Sequence, residues 1–159
     1  MDKLLLFTDG SVNTQVKIGY GAYLAVCEHE VSLDWLEKRV KVKRFDDTSS
    51  TKLELQTLIW ALDQIQGSTR KVIVYTDSQN IIGLLGRRNS LEQNNYRSGK
   101  NKLLNNHKLY REFYKIMDQL DCELVKVKGH LSSIQKSDID RLFTFVDRGS
   151  RKALKERIG

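Results

Sequence analysis

The stretch that decides the fold is Lys71–Tyr75, with the sequence Lys-Val-Ile-Val-Tyr, followed at once by Thr76-Asp77-Ser78. A short apolar run that ends at polar turn residues predicts a strand buried on both faces. A second such run, Lys3–Thr8, has the sequence Lys-Leu-Leu-Leu-Phe-Thr and ends at the turn signal Asp9-Gly10-Ser11. If the two strands are neighbours in a sheet, their terminal carboxylates Asp9 and Asp77 lie side by side.

The other elements are arranged around these two strands. Further strands are predicted at Ile18–Val26, Arg39–Lys43 and Glu123–Val127, and helices at Leu55–Ile65, Ile81–Leu85 and Leu109–Leu120, with a last helix that ends near Glu156. Strict alternation gives the Arg39–Lys43 strand a basic outer face. The order of elements predicts an α/β fold, a single domain over residues 1–159 with a mixed five-stranded sheet flanked by helices.

The composition is that of a basic globular protein. The 159 residues include 27 Lys and Arg against 20 Asp and Glu, which gives a formal net charge of +7. This excess favours polyanionic partners, with nucleic acid first among them. No apolar run is long enough for a membrane span or a signal peptide, so no membrane partner is expected. Cys27 and Cys122 are expected to be reduced thiols in a cytoplasmic protein.

Four carboxylates are candidates for chemistry, and each has an ordinary structural alternative. Asp9 could open a turn, and Asp77 could cap the helix that begins near Ser78. Glu54 could complete a capping box that starts at Thr51. The last candidate, Asp147, has Arg151 four residues further along its helix as a salt-bridge partner.

The four carboxylates taken together indicate a function more strongly than any one of them does. Two like charges 4 Å apart repel by about 4 kcal/mol at an effective dielectric constant near 20. Proteins tolerate such clusters where a divalent cation binds, and oxygen ligands suit Mg²⁺ or Mn²⁺. A basic protein with a carboxylate cleft of this kind indicates phosphodiester hydrolysis by two metal ions.

Five short motifs occur in order at the predicted ends of strands and starts of helices. They are Asp9-Gly10-Ser11, Leu53-Glu54-Leu55, Tyr75-Thr76-Asp77-Ser78-Gln79, Val127-Lys128-Gly129-His130, and Val146-Asp147-Arg148 with Arg151-Lys152-Ala153-Leu154 behind it. In these motifs the chain resembles the type 1 ribonuclease H family. The resemblance implies a ribonuclease H-like domain that cleaves the RNA strand of RNA–DNA hybrids with divalent metal ions. The expected products carry a 5′-phosphate and a 3′-hydroxyl.

The resemblance also implies a role for each motif. Asp9, Glu54, Asp77 and Asp147 would be catalytic ligands of two Mg²⁺ ions, with Mn²⁺ as a possible substitute, and His130 would assist proton transfer or product release. The residues implied to contact the hybrid are Gly10, Ser11, Asn13, Ser50, Thr51 and Gln79. Ser50 and Thr51 stand where the family usually carries two asparagines, and their hydroxyls reach less far towards a 2′-OH.

A basic insertion is predicted at about residues 86–106. Arg87 and Arg88 at its start, with further basic residues and Tyr96 behind them, look like the basic protrusion by which some family members grip the hybrid. The structural alternative is a solvated insertion without a role in binding.

Two questions stay open at this point. Asp140 lies seven residues before Asp147 on the same helical face and at a shorter interval from His130, although the residues around Asp147 fit the family pattern better. The function could also be that of a non-catalytic module that binds hybrids or double-stranded RNA, or of a DNA-acting nuclease of the same fold. A monomer without an obligate protein partner is expected.

Overall fold

The computed structural model describes residues 2–65, 67, 70–127 and 137–158. Its five strands are β1 (Leu4–Asn13), β2 (Ile18–Cys27), β3 (Lys41–Phe45), β4 (Val72–Thr76) and β5 (Cys122–Lys126). Its four α-helices are α1 (Ser50–Gln64), α2 (Gln79–Gln93), α3 (His107–Gln119) and α4 (Asp138–Ile158). The expected α/β class and the order of the elements are confirmed.

The strands form one mixed sheet in the order β3-β2-β1-β4-β5. β1 is antiparallel to β2 and parallel to β4, and β5 continues the parallel half. One buried cluster packs α1, α2 and α3 on one face of the sheet, and a second packs α4 on the other face. Both faces of β1 and β4 are therefore covered, as their apolar sequences predict.

β1 does not end at Asp9, as the turn signal predicts, but continues to Asn13. The reason is its pairing with β2, which runs from Leu4–Cys27 to Asn13–Ile18. The turn after it is stabilised by the side-chain carbonyl of Asn13, which accepts from the backbone N–H groups of Gln15 and Val16. The parallel ladder with β4 stops earlier, at Phe7 paired with Tyr75. Asp9 therefore lies where β4 no longer continues beside β1.

Helix α2 is longer than expected: it ends at Gln93, whereas the sequence predicts an end near Leu85. Leu91 continues the apolar side of the helix and packs against the core. The remainder of the predicted insertion is also folded, since Tyr96 is buried and a bridge pairs Arg97 with Leu103. The first third of the insertion is thus a helical extension.

β3 begins at Lys41, two residues later than predicted. Arg39 belongs to a 3-10 turn, Leu36–Arg39, and its guanidinium donates two hydrogen bonds to the Glu30 carboxylate at 2.8 and 3.1 Å.

Within the described residues, no helix combines the length and apolar character that a bilayer crossing requires.

Candidate active site

Asp9 lies in the middle of the sheet, at the edge where the parallel strands end. Burial raises the pKa of its carboxyl to about 8, and the charges of Asp77 and Asp147 add to this effect. A hydrogen bond from the backbone N–H of Gly10 acts in the opposite direction. The adjacent Gly10 allows α1 to pack closely, because a Cβ there would lie 2.9 Å from a methyl carbon of Leu53. The carboxyl of Asp9 is thus close to Asp77 and Asp147, while the neighbouring Gly10 packs against α1.

Asp77 follows β4 directly, on the strand next to Asp9. Loss of surrounding water raises the pKa of its carboxyl, and the charge of Asp147 raises it further. Lys126 and Arg151 partly compensate by lowering this pKa. Ser78, not Asp77, caps α2, because its hydroxyl accepts from the N–H of Ile81 at 3.2 Å. The capping alternative for Asp77 is therefore wrong.

Glu54 faces the same cleft from the first turns of α1. Burial raises the pKa of its carboxyl, with a further contribution from Asp77, while a 2.5 Å hydrogen bond from the Ser78 hydroxyl opposes this rise. The capping box is also wrong, because α1 is capped by Ser49, which accepts from the N–H of Lys52 at 3.3 Å. Glu54 is left to interact across the cleft.

Asp147 is brought to the cleft by α4. It makes the salt bridge to Arg151 that the sequence predicts, at 2.9 Å, and its carboxyl is also within hydrogen-bonding range of Asp9. Asp140 has a different environment, since it accepts from the backbone N–H and hydroxyl of Ser137 at 3.2 and 3.0 Å. The structure thus joins Asp147 to the carboxylate group and uses Asp140 at the start of α4.

The four carboxylates form a connected group across one cleft, in which Asp9 interacts with Asp77 and Asp147, and Glu54 with Asp77. Among the described residues, no three Asp, Glu, His or Cys side chains are arranged as a group that could hold a metal ion. The carboxylates come from β1, α1, α4 and the end of β4, and they influence one another without forming a closed cage. His130 and the loop that carries it lie outside the described residues.

The predicted substrate-contacting residues lie on β1, α1 and α2, and several of them make structural contacts. The hydroxyl of Ser11 is 3.1 Å from that of Ser150 and connects β1 to α4. Asn13 stabilises the turn after β1, as described above. Ser50 and Thr51 are exposed in the first turn of α1, on the same helix as Glu54.

Gln79 is exposed at the first position of α2, beside the carboxylates. Its side-chain carbonyl accepts a hydrogen bond from the Nζ of Lys126 at 2.8 Å. This bond leaves the amide group of Gln79 to act as a donor.

Arg87 and Arg88 are neighbours in the sequence, but their side chains have different partners in the structure. Arg87 is exposed, about two turns from the start of α2, and donates to the side chain of Asn80 at 2.8 Å. Arg88 instead pairs with Asp118 and Glu92, which raises the pKa of its guanidinium, and it stacks over the ring of Tyr114. The charge of Arg88 is therefore compensated within the fold, which favours a structural role over the predicted contact with the hybrid.

Sequence reasoning missed three polar residues at the site: Ser78, Lys126 and Ser150. Ser78 could have been identified from the cap position that it occupies before α2. Lys126 pairs in register with Thr76, so its location beside Asp77 follows only from the neighbour relation of β4 and β5. Ser150 gives no signal in the sequence, because its contact depends on how α4 crosses β1.

Comparison with known proteins agrees with this fold. A family model described as RNase H matches residues 1–145. Proteins named Ribonuclease H from Syntrophomonas wolfei and Novosphingobium aromaticivorans are 27% and 28% identical, each over 89% of this chain and 94% of the relative. The family match ends two residues before Asp147, so it does not decide between Asp147 and Asp140.

Solved structures share the fold at low identity. The solution structure of the PFV RNase H domain matches with a TM-score of 0.72 at 13% identity, over 94% of this chain and 92% of that one. A foamy viral protease–reverse transcriptase, solved in complex with double-stranded DNA, matches with a TM-score of 0.69 at 13% identity, over 94% of both chains. These likenesses confirm the ribonuclease H-like fold.

The family match and the named relatives identify the chain as a nuclease. The chain belongs to the RNase H family, whose model covers most of its length. Its activity is accordingly that of an endoribonuclease on RNA–DNA hybrids. The alternatives of a non-catalytic binding module and a DNA-acting nuclease are not favoured by these matches.

Proposed function

We propose that the protein cleaves the RNA strand of RNA–DNA hybrids with Mg²⁺, held by Asp9, Glu54, Asp77 and Asp147, and releases 5′-phosphate and 3′-hydroxyl ends. The observation that carries this proposal is the mutual interaction of the four carboxylates at one edge of the sheet. Burial and repulsion make the cluster costly for the protein alone. A bound divalent cation would offset this cost.

The donor set fits such an ion. All four side chains offer carboxylate oxygens, which Mg²⁺ and Mn²⁺ prefer, and Mg²⁺ retains several waters when bound by a few carboxylates. An open cleft therefore suits it better than an enclosed cage. When bound, two such ions would activate the attacking water and stabilise the leaving oxygen.

The surrounding residues orient the carboxylates and set their charge. The hydroxyl of Ser78 fixes Glu54, and Lys126 and Arg151 favour the ionised form of Asp77. The contact between Ser11 and Ser150 connects the strand that carries Asp9 to the helix that carries Asp147. The protein thus keeps the carboxylates close together while limiting their repulsion.

Substrate contacts are proposed along the same edge. Ser50 and Thr51 present hydroxyls that can bond to 2′-OH groups, which distinguish RNA from DNA. Gln79 presents its amide donor, and Arg87 an exposed guanidinium for a phosphate. Gly10 allows close approach of the backbone, and His130 is proposed to assist proton transfer or product release.

We further propose a monomeric, cytoplasmic enzyme. The exposed large apolar side chains described in the structure are few and belong to four separate segments of the chain: Val16, Trp35, Leu85 and Leu103. Cys27 and Cys122 are free thiols. Light scattering behind a sizing column should give the mass of one chain, and a stable dimer would contradict the proposal.

The test is a cleavage assay with end-labelled RNA–DNA hybrid, RNA duplex and DNA duplex, each with Mg²⁺, with Mn²⁺ and with chelator. Cutting of the RNA strand of the hybrid alone, lost in chelator, is the expected result. Cutting of the DNA duplex would contradict hybrid specificity. Tight, salt-sensitive hybrid binding without cutting would identify a binding module instead.

A further inference from the structure

The outer strand of the sheet and the turn before it carry a dense group of positive charges that the catalytic proposal does not use. This basic edge comprises Lys38 and Arg39 in the turn and Lys41, Lys43 and Arg44 in β3. β3 is the outermost strand and pairs only with β2, so it forms one rim of the sheet. Lysines on an edge strand also discourage strand addition, which is the structural alternative that the test must exclude.

The two lysines of β3 are held over aromatic rings. The Nζ of Lys41 is 5.9 Å from the ring centre of Tyr23, and that of Lys43 is 5.2 Å from Phe45 and 5.8 Å from Trp60. Trp60 makes edge contacts with both other rings. Cation–π attraction thus fixes two ammonium groups above a row of rings.

The charges of these two lysines are not compensated by ion pairs. Arg39 pairs with Glu30 and Arg44 with Asp46, at 2.8 and 2.9 Å. None of the salt bridges between described residues includes Lys41 or Lys43. The basic edge therefore presents two ordered positive charges to solvent.

Two shallow grooves flank these lysines. One of about 400 Å³ is bordered by Lys38, Lys41 and Gln64, and one of about 250 Å³ by Lys43, Trp60 and Asp63. Tyr23 is only 4% exposed and offers no face for base stacking, whereas Phe45 and Trp60 are half-buried beside the ammonium group of Lys43. Two ordered ammonium groups make phosphate the group that this surface attracts most directly.

The basic edge leads directly to the catalytic cleft. β3 ends at Phe45, and only residues 46–49 separate it from the first turn of α1, where Ser50 and Thr51 lie. Alternate residues of a strand are roughly 7 Å apart, and a nucleic-acid strand rises about 3.4 Å per phosphate. Lys41 and Lys43 therefore span about two phosphates.

We propose that Lys41 and Lys43 bind the phosphate backbone of the hybrid where it continues beyond the catalytic cleft. This inference rests on the proposed function, because it assigns the same substrate a second contact. Binding there is independent of sequence and needs a hybrid longer than the cleft covers. It makes the affinity for substrate depend on hybrid length.

The test compares hybrids of roughly one and roughly three helical turns, about 10 and 30 base pairs. Binding is measured by fluorescence anisotropy in chelator between 50 and 200 mM salt. The double variant Lys41→Thr/Lys43→Thr keeps strand-forming side chains, and Lys3→Thr/Lys71→Thr removes the same charge before β1 and β4, at the opposite end of the sheet. Lys41→Arg/Lys43→Arg keeps the charge on β3.

For the long hybrid, the Lys41→Thr/Lys43→Thr variant should reduce the slope of log K against log salt by about 1.8, or 0.9 for each lost phosphate contact. Its loss of affinity is then about 12-fold greater at 50 mM than at 200 mM salt. The slope for the short hybrid and the cleavage of that hybrid should stay unchanged. The arginine variant should keep the slope of the unmodified protein.

An unchanged slope on the long hybrid would overturn the proposal and leave the lysines as protection of the sheet edge. Equal losses on both hybrids, or an equal loss in the Lys3→Thr/Lys71→Thr control, would overturn it as well. Failure of the catalytic proposal is recognised separately, because the unmodified protein would then not cut the short hybrid.

Discussion

The raised pKa of Asp9 makes the stability of the metal-free protein depend on pH. An unfolded aspartate ionises near pH 3.8, whereas burial and the neighbouring carboxylates raise the folded pKa to about 8. The folded state therefore binds a proton that the unfolded state has lost, and stability falls as the pH rises from about 4 to about 8. Below about pH 4 the carboxyl of Asp9 is protonated in both the folded and the unfolded state, so its ionisation no longer reduces the stability.

Replacing Asp9 with asparagine should remove this penalty. At pH 7 the solution is about three pH units above the unfolded pKa, and each unit costs 1.36 kcal/mol, so the variant should gain about 4 kcal/mol. For a protein of this length, that gain corresponds to a rise in melting temperature of about 10 °C. At pH 4 the two proteins should melt together.

The assay is thermal unfolding by circular dichroism in chelator, at pH values from 4 to 8. Asp34→Asn is the control, because Asp34 is exposed and lies away from the cleft, and its effect should stay within about 0.5 kcal/mol at every pH. Equal melting temperatures of Asp9→Asn and the unmodified protein at pH 7 would refute the reasoning. Mg²⁺ should raise the melting temperature of the unmodified protein and have less effect on Asp9→Asn.

Three further predictions concern the residues around the cleft. Ser78→Ala removes the cap of α2 and the hydrogen bond to Glu54, so denaturant unfolding should show a loss of about 1–2 kcal/mol, and Ser78→Thr should restore most of it; a change below 0.5 kcal/mol would contradict the role of the cap. Lys126→Met should shift the acidic limb of the pH–rate profile to higher pH, because the charge of Lys126 lowers the pKa of Asp77 and its removal raises that pKa; an unchanged profile, or a shift to lower pH, would contradict this electrostatic role. Arg87→Ala should weaken hybrid binding more than Arg88→Ala, since Arg88 is already paired with Asp118; fluorescence anisotropy measures both, and the reverse order would contradict the assignment.

The apolar strands and the carboxylates behind them could be predicted because both signals are local. Lys71–Tyr75 and Lys3–Thr8 are predicted from their apolar runs, and Asp77 and Asp9 reach one sheet edge because β1 and β4 pair in parallel. The extension of β1 to Asn13 could not be predicted, because it depends on pairing with β2 rather than on its own residues. A local turn signal was outweighed by a long hairpin.

The capping alternatives for Glu54 and Asp77 failed for a common reason. Both caps exist, but neighbouring serines supply them: Ser49 for α1 and Ser78 for α2. For Asp147, the predicted salt bridge and the predicted site coexist, since one carboxylate can accept from Arg151 and also face Asp9. The spacing of residues along the sequence does not show that one carboxylate has both a salt-bridge partner and a place in the site.

The long-range partners of the arginines were beyond the sequence. Arg88 meets Asp118 only because α2 and α3 pack beside each other, 30 residues apart in the chain. Arg87, one residue earlier, points elsewhere and bonds to Asn80. Two adjacent arginines on a helix therefore have separate roles that composition cannot distinguish.

The most direct test of the account is single-turnover cleavage of an RNA–DNA hybrid in Mg²⁺ by four proteins: the unmodified chain, Asp77→Asn, Asp147→Asn and Asp140→Asn. We predict that Asp77→Asn and Asp147→Asn lose cleavage by several orders of magnitude while remaining folded, and that Asp140→Asn retains it. Retained cleavage in Asp77→Asn, or loss in Asp140→Asn with retention in Asp147→Asn, would contradict the assignment of the carboxylate cleft.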